Sequence, residues 1–153
     1  MKYNANEIAS YIVNKSIEMN CPVSNLKLQK LLYYVQAASL VIRGEVLFKD
    51  DIVAWPYGPV VKNVYDKYRI YLSNDIEKQN DCTEIDCDSK ELINSVLIGK
   101  SIDSAFDMVY TTHGEDPWRE TNMYDVIDKE SIKKYFLKGE NRERIWVAKQ
   151  NLA

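Results

Sequence analysis

The sequence predicts a mainly α-helical fold of the α+β class, a single compact domain of about six helices with a small antiparallel β-hairpin. Apolar residues recur at three- and four-residue steps through most of the chain, and residues that favour helix starts and ends frame these segments. One short β-prone stretch after residue 45 interrupts this pattern. The 153 residues suit one domain over residues 1–153, because that length buries one core and no linker or repeat divides it.

Two helices are predicted in the first third of the chain. The first covers residues 5–19, because Asn4 and Glu7 have the spacing of a capping box and Pro22 follows its end. The second begins at a cap at Ser24 or Asn25 and ends before Gly44. Its apolar face is Leu28, Leu31, Leu32, Val35, Ala38 and Ile42. Its more polar positions are expected to be Lys27, Gln29, Lys30 and Gln36.

A small β-hairpin is predicted next. Residues 46–48 and 52–55 are both β-prone, and the acidic turn at 49–51 separates them. The Pro-Tyr-Gly-Pro sequence at 56–59 then predicts a rigid turn, with Pro59 as the first residue of a third helix. The apolar side of that helix is expected to be Val60, Val61, Val64, Tyr65, Tyr68 and Leu72.

The second half predicts an exposed loop followed by shorter helices. Residues 73–88 are polar and acidic, with a short strand expected near 83–85. The expected helices are one from Ser89 to Gly99, one capped by Ser101 that carries Ile102, Ala105, Phe106 and Val109, and one from Asp128 that Gly139 closes. Residues 111–118 are expected to break the second of these, and 139–153 to form a C-terminal helix or tail.

The bulk composition argues against several classes of protein. A net charge of −3 and a pI near 5.3 are unlike the basic faces with which proteins neutralise nucleic-acid phosphates. No segment reaches the length of about 18 apolar residues that a membrane helix needs, and the polar start lacks a signal-peptide pattern. A cytoplasmic location is therefore expected. Three cysteines and one histidine predict neither a disulfide framework nor a zinc site.

Three motifs together resemble a known family. They are LKLQKLLYY at 26–34, AWPYGPVV at 54–61, and Thr112-His113 followed by Asp-Pro-Trp at 116–118. In this order and spacing the chain resembles the Panacea domain family, which includes phage-associated GepA-type proteins and SocA-type antitoxins. The resemblance covers about residues 5–137.

The resemblance implies an antitoxin-like protein-binding domain. Such a domain neutralises a cognate protein toxin, encoded beside it, by direct binding or by delivering it to a cytoplasmic protease. No catalytic activity is established for the family, so neither an enzyme nor a cofactor is expected. Some members carry an added DNA-binding module, for which this chain has no room, so direct nucleic-acid binding is not expected.

The three motifs also supply the expected site. The partner-binding residues are expected to be Lys30, Tyr33, Tyr34, Trp55, Tyr57, Pro59, His113, Asp116 and Trp118, because exposed aromatic and charged side chains concentrate binding energy at interfaces. Structural roles within the motifs are expected for Leu28, Leu31, Gly58 and Pro117. Leu28 and Leu31 belong to a core stripe, and Gly58 would supply a backbone angle that other residues avoid.

Each motif also has a purely structural interpretation. Trp55 would fill the core beneath the hairpin, and His113 would end a helix and bond its free carbonyls, with Trp118 packed inward.

Two functional alternatives remain open at this point. One is a metal-dependent hydrolase or nuclease that uses His113, Glu115 and Asp116, although no complete ligand set is evident. The other is a nucleic-acid-binding regulator. The acidic stretch 75–88 is either a solvated loop or a surface that attracts a basic partner.

Overall fold

The computed structural model describes residues 3–152. The α-helices of this part are α1 Ala5–Glu18, α2 Asn25–Arg43, α3 Lys62–Tyr68, α4 Cys87–Lys100, α5 Ala105–His113, α6 Asp116–Arg119 and α7 Lys129–Leu137. Strands β1 Val53–Trp55 and β2 Gly58–Val60 lie between α2 and α3. Short 3-10 helices cover Arg69–Tyr71, Gly139–Ile145 and Lys149–Asn151. The predicted mainly helical domain with a small antiparallel sheet is confirmed.

Helix α2 is the centre of the molecule. All of its residues from Leu28 to Leu40 are buried, and it contacts α1, α3, α4, α5 and α7. A helix that is covered on every side has no polar face, so the predicted polar positions Gln29, Lys30 and Gln36 are wrong. Each of them bonds a neighbouring segment instead; Gln36 donates to Phe48 O at 2.9 Å and accepts from Leu47 N at 2.8 Å. Ile42, expected in the core, is exposed near the helix end.

Helix starts follow the local sequence closely. Asn4 and Glu7 form the predicted capping box of α1, and Ser24 and Asp128 cap α2 and α7. The residue after α2, Gly44, has the predicted left-handed backbone at φ 73°. Three boundaries differ from the prediction: α4 begins after Asp86, α5 begins after Ser104, and Gly99 lies inside α4. At the two helix starts, more than one residue of a capping type stands within a few positions: Asp86 and Ser89 for α4, and Ser101 and Ser104 for α5.

The hairpin forms one segment later than predicted. β1 pairs antiparallel with β2, so Val53 faces Val60 and the turn is Pro56-Tyr57. Pro59 therefore lies in a strand, and its assignment as the first residue of a helix is wrong. It lies opposite Ala54, whose N–H instead donates to Asp125 O at 3.0 Å, so the missing proline N–H costs no bond there. Residues 46–48 pair with Tyr3 instead of with β1.

One hydrophobic core joins the chain from Tyr3 to Ile145. The acidic stretch 73–88 is largely exposed, as predicted, but it buries Ile76 and Ile85, and the strand expected near 83–85 is absent from the described residues. The C-terminal segment 139–152, expected to form a helix or a tail, forms two short 3-10 helices packed against the body, with Ile145 and Ala148 buried. Ala153 lies outside the described residues. Nowhere in residues 3–152 does a helix combine the length and apolar character needed to cross a bilayer.

Candidate functional site

The three sequence motifs meet at the β1–β2 hairpin. Helix α2 lies beneath the hairpin and binds it through two polar side chains: Lys30 Nζ donates to Pro59 O at 2.8 Å, and Gln29 Oε1 accepts from Val61 N at 2.9 Å. These contacts cover the edge of β2 that faces away from β1. Within the described residues, no other strand pairs with that edge. The hairpin is therefore fixed to the central helix by side chains that lie one position apart.

Lys30 is fully buried, so the expectation that it is exposed beside Tyr33 and Tyr34 is wrong. Its only acceptor in the described part of the chain is the Pro59 oxygen, and no carboxylate pairs with it there. Burial therefore lowers the pKa of the Lys30 ammonium group to about 7. The residue stabilises the hairpin from within and does not present its charge to a partner in this structure.

Gly58 lets the hairpin approach Lys30. Its φ is +110°, as the expected need for an unusual backbone angle implies. A β-carbon at this position would also lie 2.7 Å from Lys30 Cε and 2.8 Å from Thr112 Oγ1. Gly58 therefore serves both conformation and close packing between motifs.

Tyr33 and Tyr34 form a second buried cluster around Glu115. Tyr33 OH donates to Glu115 Oε1 at 3.1 Å, and Tyr34 OH donates to both carboxylate oxygens at 3.1 and 3.0 Å. Arg144 Nε, from the C-terminal segment, donates to Oε2 at 2.9 Å. Desolvation raises the pKa of Glu115, and Arg144 and Lys100 oppose that rise. Burial and the nearby carboxylate raise the pKa values of both tyrosines well above their ordinary range, which keeps them as neutral donors.

His113 and Trp118 hold the hairpin turn from its other side. The imidazole stacks on the indole with ring centres 4.1 Å apart, and His113 Nε2 lies 2.9 Å from Pro56 O. Trp118 Nε1 donates to Trp55 O at 2.8 Å. His113 ends α5, as its structural interpretation predicts, but its ring bonds the turn and not the carbonyls of its own helix.

The remaining residues of this motif shape α6. Asp116 is its first residue and pairs with Arg119, while Pro117 is buried at the second position. Trp118 is half-buried, so its indole lies partly at the surface. The third motif thus combines a buried proline with aromatic and charged side chains that solvent reaches.

The surface above these contacts is aromatic and apolar. Tyr57, at the tip of the turn, is 61% exposed, and its ring meets that of exposed Phe106 edge-on at 6.4 Å. On the other side of Tyr57 lies a groove of about 790 Å³ between α2, the hairpin and α3. We call it the hairpin groove. Its charged lining residues are Asp66 and Arg69, and its apolar lining is Leu26, Trp55, Pro56, Tyr57, Val60, Tyr65, Ile70 and Leu72.

The residues of the alternative metal site, His113, Glu115 and Asp116, are not brought together for ligation. Glu115 faces the core and bonds Tyr33, Tyr34 and Arg144, whereas His113 bonds the hairpin turn. Among residues 3–152, no group of three or more His, Cys, Asp and Glu side chains is placed to hold a metal ion. The contacts of this region join segments of the chain to one another and leave an exposed aromatic surface, an arrangement suited to binding another protein.

Sequence reasoning missed the partners that complete this region. Arg144 comes from a segment expected to be a C-terminal helix or tail, and Lys100 was placed just past a helix end. Ile70 was not singled out, and Leu72 was assigned to a core face, although both are exposed at the groove. The polar residues Ser73 and Asn74 directly after them were a usable signal that the helix, and with it the buried face, ends there.

Comparison with known proteins places this arrangement in context. The family model described as "Antitoxin SocA-like, Panacea domain" matches residues 28–119, which include most of the first motif and all of the other two. The chain is also similar to Antitoxin SocA of Caulobacter vibrioides, with 30% identity over 128 residues that cover 75% of this chain and 68% of that protein. No solved structure matches the chain.

Proposed function

Because the chain belongs to the SocA-like antitoxin family with a Panacea domain, we propose that it is an antitoxin that neutralises a cognate protein toxin. Neutralisation proceeds by direct binding, which covers the toxin or delivers it to a protease. The observation that carries this proposal is the convergence of all three motifs on one hairpin turn. Hydrogen bonds from Lys30, His113 and Trp118 fix the hairpin, and the first of these is fully buried, while Tyr57 at the tip of the turn remains exposed.

The fixed turn favours binding because little order must be gained when a partner docks. Lys30 holds the strand that follows the turn through Pro59 O, and His113 and Trp118 hold the turn itself through Pro56 O and Trp55 O. Aromatic anchors on a rigid backbone lose less conformational entropy on association than flexible side chains do. In this proposal Trp55, Tyr57, His113, Asp116 and Trp118 contact the toxin.

The buried members of the expected set act indirectly. Lys30, Tyr33, Tyr34 and Pro59 are covered in this structure, so their part in toxin binding is to position the hairpin and α6. Substitution of a buried residue would then weaken neutralisation together with folding stability. Substitution of an exposed one would weaken neutralisation alone.

Co-expression tests the proposal. The protein encoded next to this chain is induced alone and then together with it, and growth is measured. We expect the neighbour to arrest growth and the wild-type chain to restore it. A Tyr57→Ala chain should restore growth poorly while its unfolding midpoint stays unchanged, because Tyr57 is mostly exposed. A neighbour that is harmless when expressed alone would contradict the antitoxin role.

The same strains separate the two routes of neutralisation. If the chain only covers the toxin, the toxin accumulates as a stable complex that co-purifies with the chain. If the chain delivers the toxin to a protease, the half-life of the toxin shortens when the chain is present. Protease-deficient hosts would then accumulate the toxin again.

A further inference from the structure

The hairpin groove is too open at one rim to enclose a small ligand. Ile70 is 80% exposed and Leu72 is 76% exposed, and both line the groove together with Trp55 and Tyr65. A site for a small molecule buries most of the surface of its ligand, whereas exposed apolar side chains beside a groove are typical of a surface that binds another protein. Tyr57 also lines the groove, so the groove continues the surface assigned above to toxin binding.

The backbone at this rim is strained at Leu72. The 3-10 helix Arg69–Tyr71 ends there, and Leu72 has φ 55° and ψ −125°. Residues with a β-carbon rarely adopt a positive φ, and strain of this kind concentrates at sites that bind ligands. The chain therefore holds a large apolar side chain in solvent through an unfavourable backbone conformation, which favours a role for Leu72 in binding.

The polar side chains that α2 contributes to the groove already have partners. Asn25 Nδ2 donates to Tyr65 O at 3.1 Å, and Asn25 Oδ1 accepts from Gln29 Nε2 at 2.9 Å. Gln29 Oε1 accepts from Val61 N. Because Gln29 and Lys30 cover the edge of β2 that faces away from β1, an extended peptide could not pair with the hairpin there. The occupant must therefore satisfy its own backbone, as an amphipathic helix does.

The unengaged polar groups of the lining include two donors that cannot accept. Within residues 3–152, the Arg69 guanidinium forms no ion pair or hydrogen bond, and Trp55 Nε1 has no acceptor. The carboxylate of the lining, Asp66, is already paired with Lys62 at 3.0 Å. The acidic stretch 75–88 does not line the groove. Free donors, one of which carries a full positive charge, favour an occupant that brings a carboxylate.

We propose that the hairpin groove docks an acidic amphipathic helix of the toxin. The inference rests on the function proposed above and assigns the chemistry of the toxin segment that this chain recognises. The apolar face of the helix packs on Trp55, Ile70 and Leu72. An Asp or Glu beside that face pairs with Arg69, whose planar guanidinium can bind a carboxylate through two N–H groups.

A peptide titration tests the groove without requiring a toxin. The probes are two fluorescent amphipathic Leu/Gln peptides of about 18 residues, long enough to form a helix. They have the same apolar positions, and beside the apolar face one carries Glu and the other carries Lys. We expect the wild-type chain to bind the Glu peptide about threefold or more tightly than the Lys peptide. Equal affinity, a preference for the Lys peptide, or no binding of the Glu peptide would overturn the proposal.

A charge reversal at Arg69 locates the polar contact. Arg69→Glu should reverse the preference, so that the Lys peptide binds about threefold or more tightly than the Glu peptide. Lys67→Glu is the matched control, because it changes the net charge equally at an exposed residue that does not line the groove. It should leave the Glu peptide preferred. If the two variants shift the preference equally, the overall charge of the chain and not Arg69 selects the peptide, and the proposal fails.

Removal of the apolar rim locates the other contact. Ile70→Ser/Leu72→Ser should lose about tenfold or more in affinity for both peptides, because two exposed apolar anchors are removed. Leu137→Ser, at an exposed apolar residue on α7, should change neither affinity. The unfolding midpoint of each variant shows whether it is folded. If Ile70→Ser/Leu72→Ser binds both peptides as the wild type does, the groove is not the docking site.

Co-expression with the toxic neighbour separates this inference from the antitoxin role. Arg69→Glu should restore growth less well than Lys67→Glu. A wild-type chain that discriminates between the peptides but rescues no toxic neighbour keeps the groove chemistry and loses the antitoxin function. An Arg69→Glu chain that neutralises the toxin as the wild type does keeps the function and loses the groove inference.

Sedimentation of the chain alone tests the remaining occupant, a second copy of this chain. We expect a monomer whose sedimentation does not change in Ile70→Ser/Leu72→Ser. A dimer that these substitutions convert to a monomer would assign the groove to the second copy and overturn the proposal.

Discussion

Lys30 Nζ on the central helix lies 2.8 Å from the carbonyl oxygen of Pro59 in β2, and no part of the lysine reaches solvent. Two other lysines act in the same way on other segments. Lys27 Nζ donates to the carbonyls of Lys100, Ser101 and Asp103, and Lys100 Nζ donates to Arg144 O at 2.6 Å and Val147 O at 2.8 Å. Lysines thus attach the hairpin, the α4–α5 connection and the C-terminal segment to the helical body through backbone oxygens.

The buried Lys30 predicts a pH dependence of stability. Its pKa is about 7 in the folded protein, against an ordinary value of about 10.4 in the unfolded chain. Between these values the unfolded state binds more protons, so the free energy of unfolding rises with pH, by at most about 1.4 kcal/mol per pH unit from this group. Urea unfolding from pH 7 to 9.5 measures the slope. Lys30→Met should reduce it.

Lys100, with a pKa lowered by burial to about 8, contributes to the same slope, so Lys30→Met leaves part of it. The pH range of the measurement ends at 9.5, below the ordinary tyrosine pKa of about 10. Above that pH the raised pKa values of Tyr33 and Tyr34 in the folded protein lower the free energy of unfolding and would mask the lysine effect. Lys62→Met on the exposed face of α3 is the control and should keep the wild-type slope. An unchanged slope in Lys30→Met would show that Lys30 is not desolvated as the structure has it.

Gly58→Ala should destabilise the protein by about 2 kcal/mol or more. The added β-carbon would lie 2.7 Å from Lys30 Cε at a backbone with φ +110°. Gly114→Ala is the matched control, since its β-carbon would come no closer than 3.6 Å to Thr111 O and its φ is −89°. Chemical denaturation of both variants measures the difference. Equal stabilities would contradict the close packing of the hairpin on Lys30.

Arg144→Met should cost about 3 kcal/mol at pH 7, because it leaves the buried Glu115 carboxylate without its cation. Without Arg144 the folded-state pKa of Glu115 rises further above its ordinary value. A raised carboxyl pKa means that stability is lost as pH increases through it, so the deficit of Arg144→Met should shrink at pH 5. Unfolding curves at the two pH values measure this change.

The double variant Glu115→Gln/Arg144→Met provides the control for that pair. It removes both charges, so it should be more stable at pH 7 than Arg144→Met alone. A deficit of Arg144→Met that does not change between pH 5 and pH 7 would indicate that the lost packing of Arg144, and not the carboxylate, sets its cost.

Gly99→Ala should release the C-terminal segment. A β-carbon there would lie 1.8 Å from Trp146 O, and a backbone atom cannot yield by rotating a side chain. We expect hydrogen exchange and proteolysis within 139–152 to increase, while α1 and α2 keep their protection. Ser95→Ala is the milder control, since it adds no atom and removes the 3.0 Å bond from Trp146 Nε1 together with a bond within α4 from Ser95 Oγ to Leu92 O. If Gly99→Ala leaves the hydrogen-exchange protection of 139–152 as it is in the wild type, this segment does not pack against Gly99.

The sequence by itself determined the features that depend on neighbouring residues. The side chains of Asn4, Ser24 and Asp128 cap helices by accepting from backbone N–H groups two or three positions later. Gly44 ends α2 because a residue without a β-carbon adopts the left-handed backbone there without strain, which is again a local effect. Leu28 and Leu31 are in the core, as their helical spacing predicts. The three motifs were also readable, because each is a contiguous run.

Only the tertiary structure decided what those motifs do. Lys30 is buried because α2 is covered on every side and Pro59 supplies an acceptor 29 residues away, a pairing that helical periodicity does not encode. The pairing of β1 with β2 depends on long-range contacts. The other edge of β1 bonds Asp125 through the Ala54 N–H, and the end of β2 bonds Gln29 of α2 through the Val61 N–H. The ion pair of Glu115 with Arg144 depends on how the C-terminal segment folds back. Long-range polar contacts of this kind follow from chain packing in three dimensions, and no local pattern of residues specifies them.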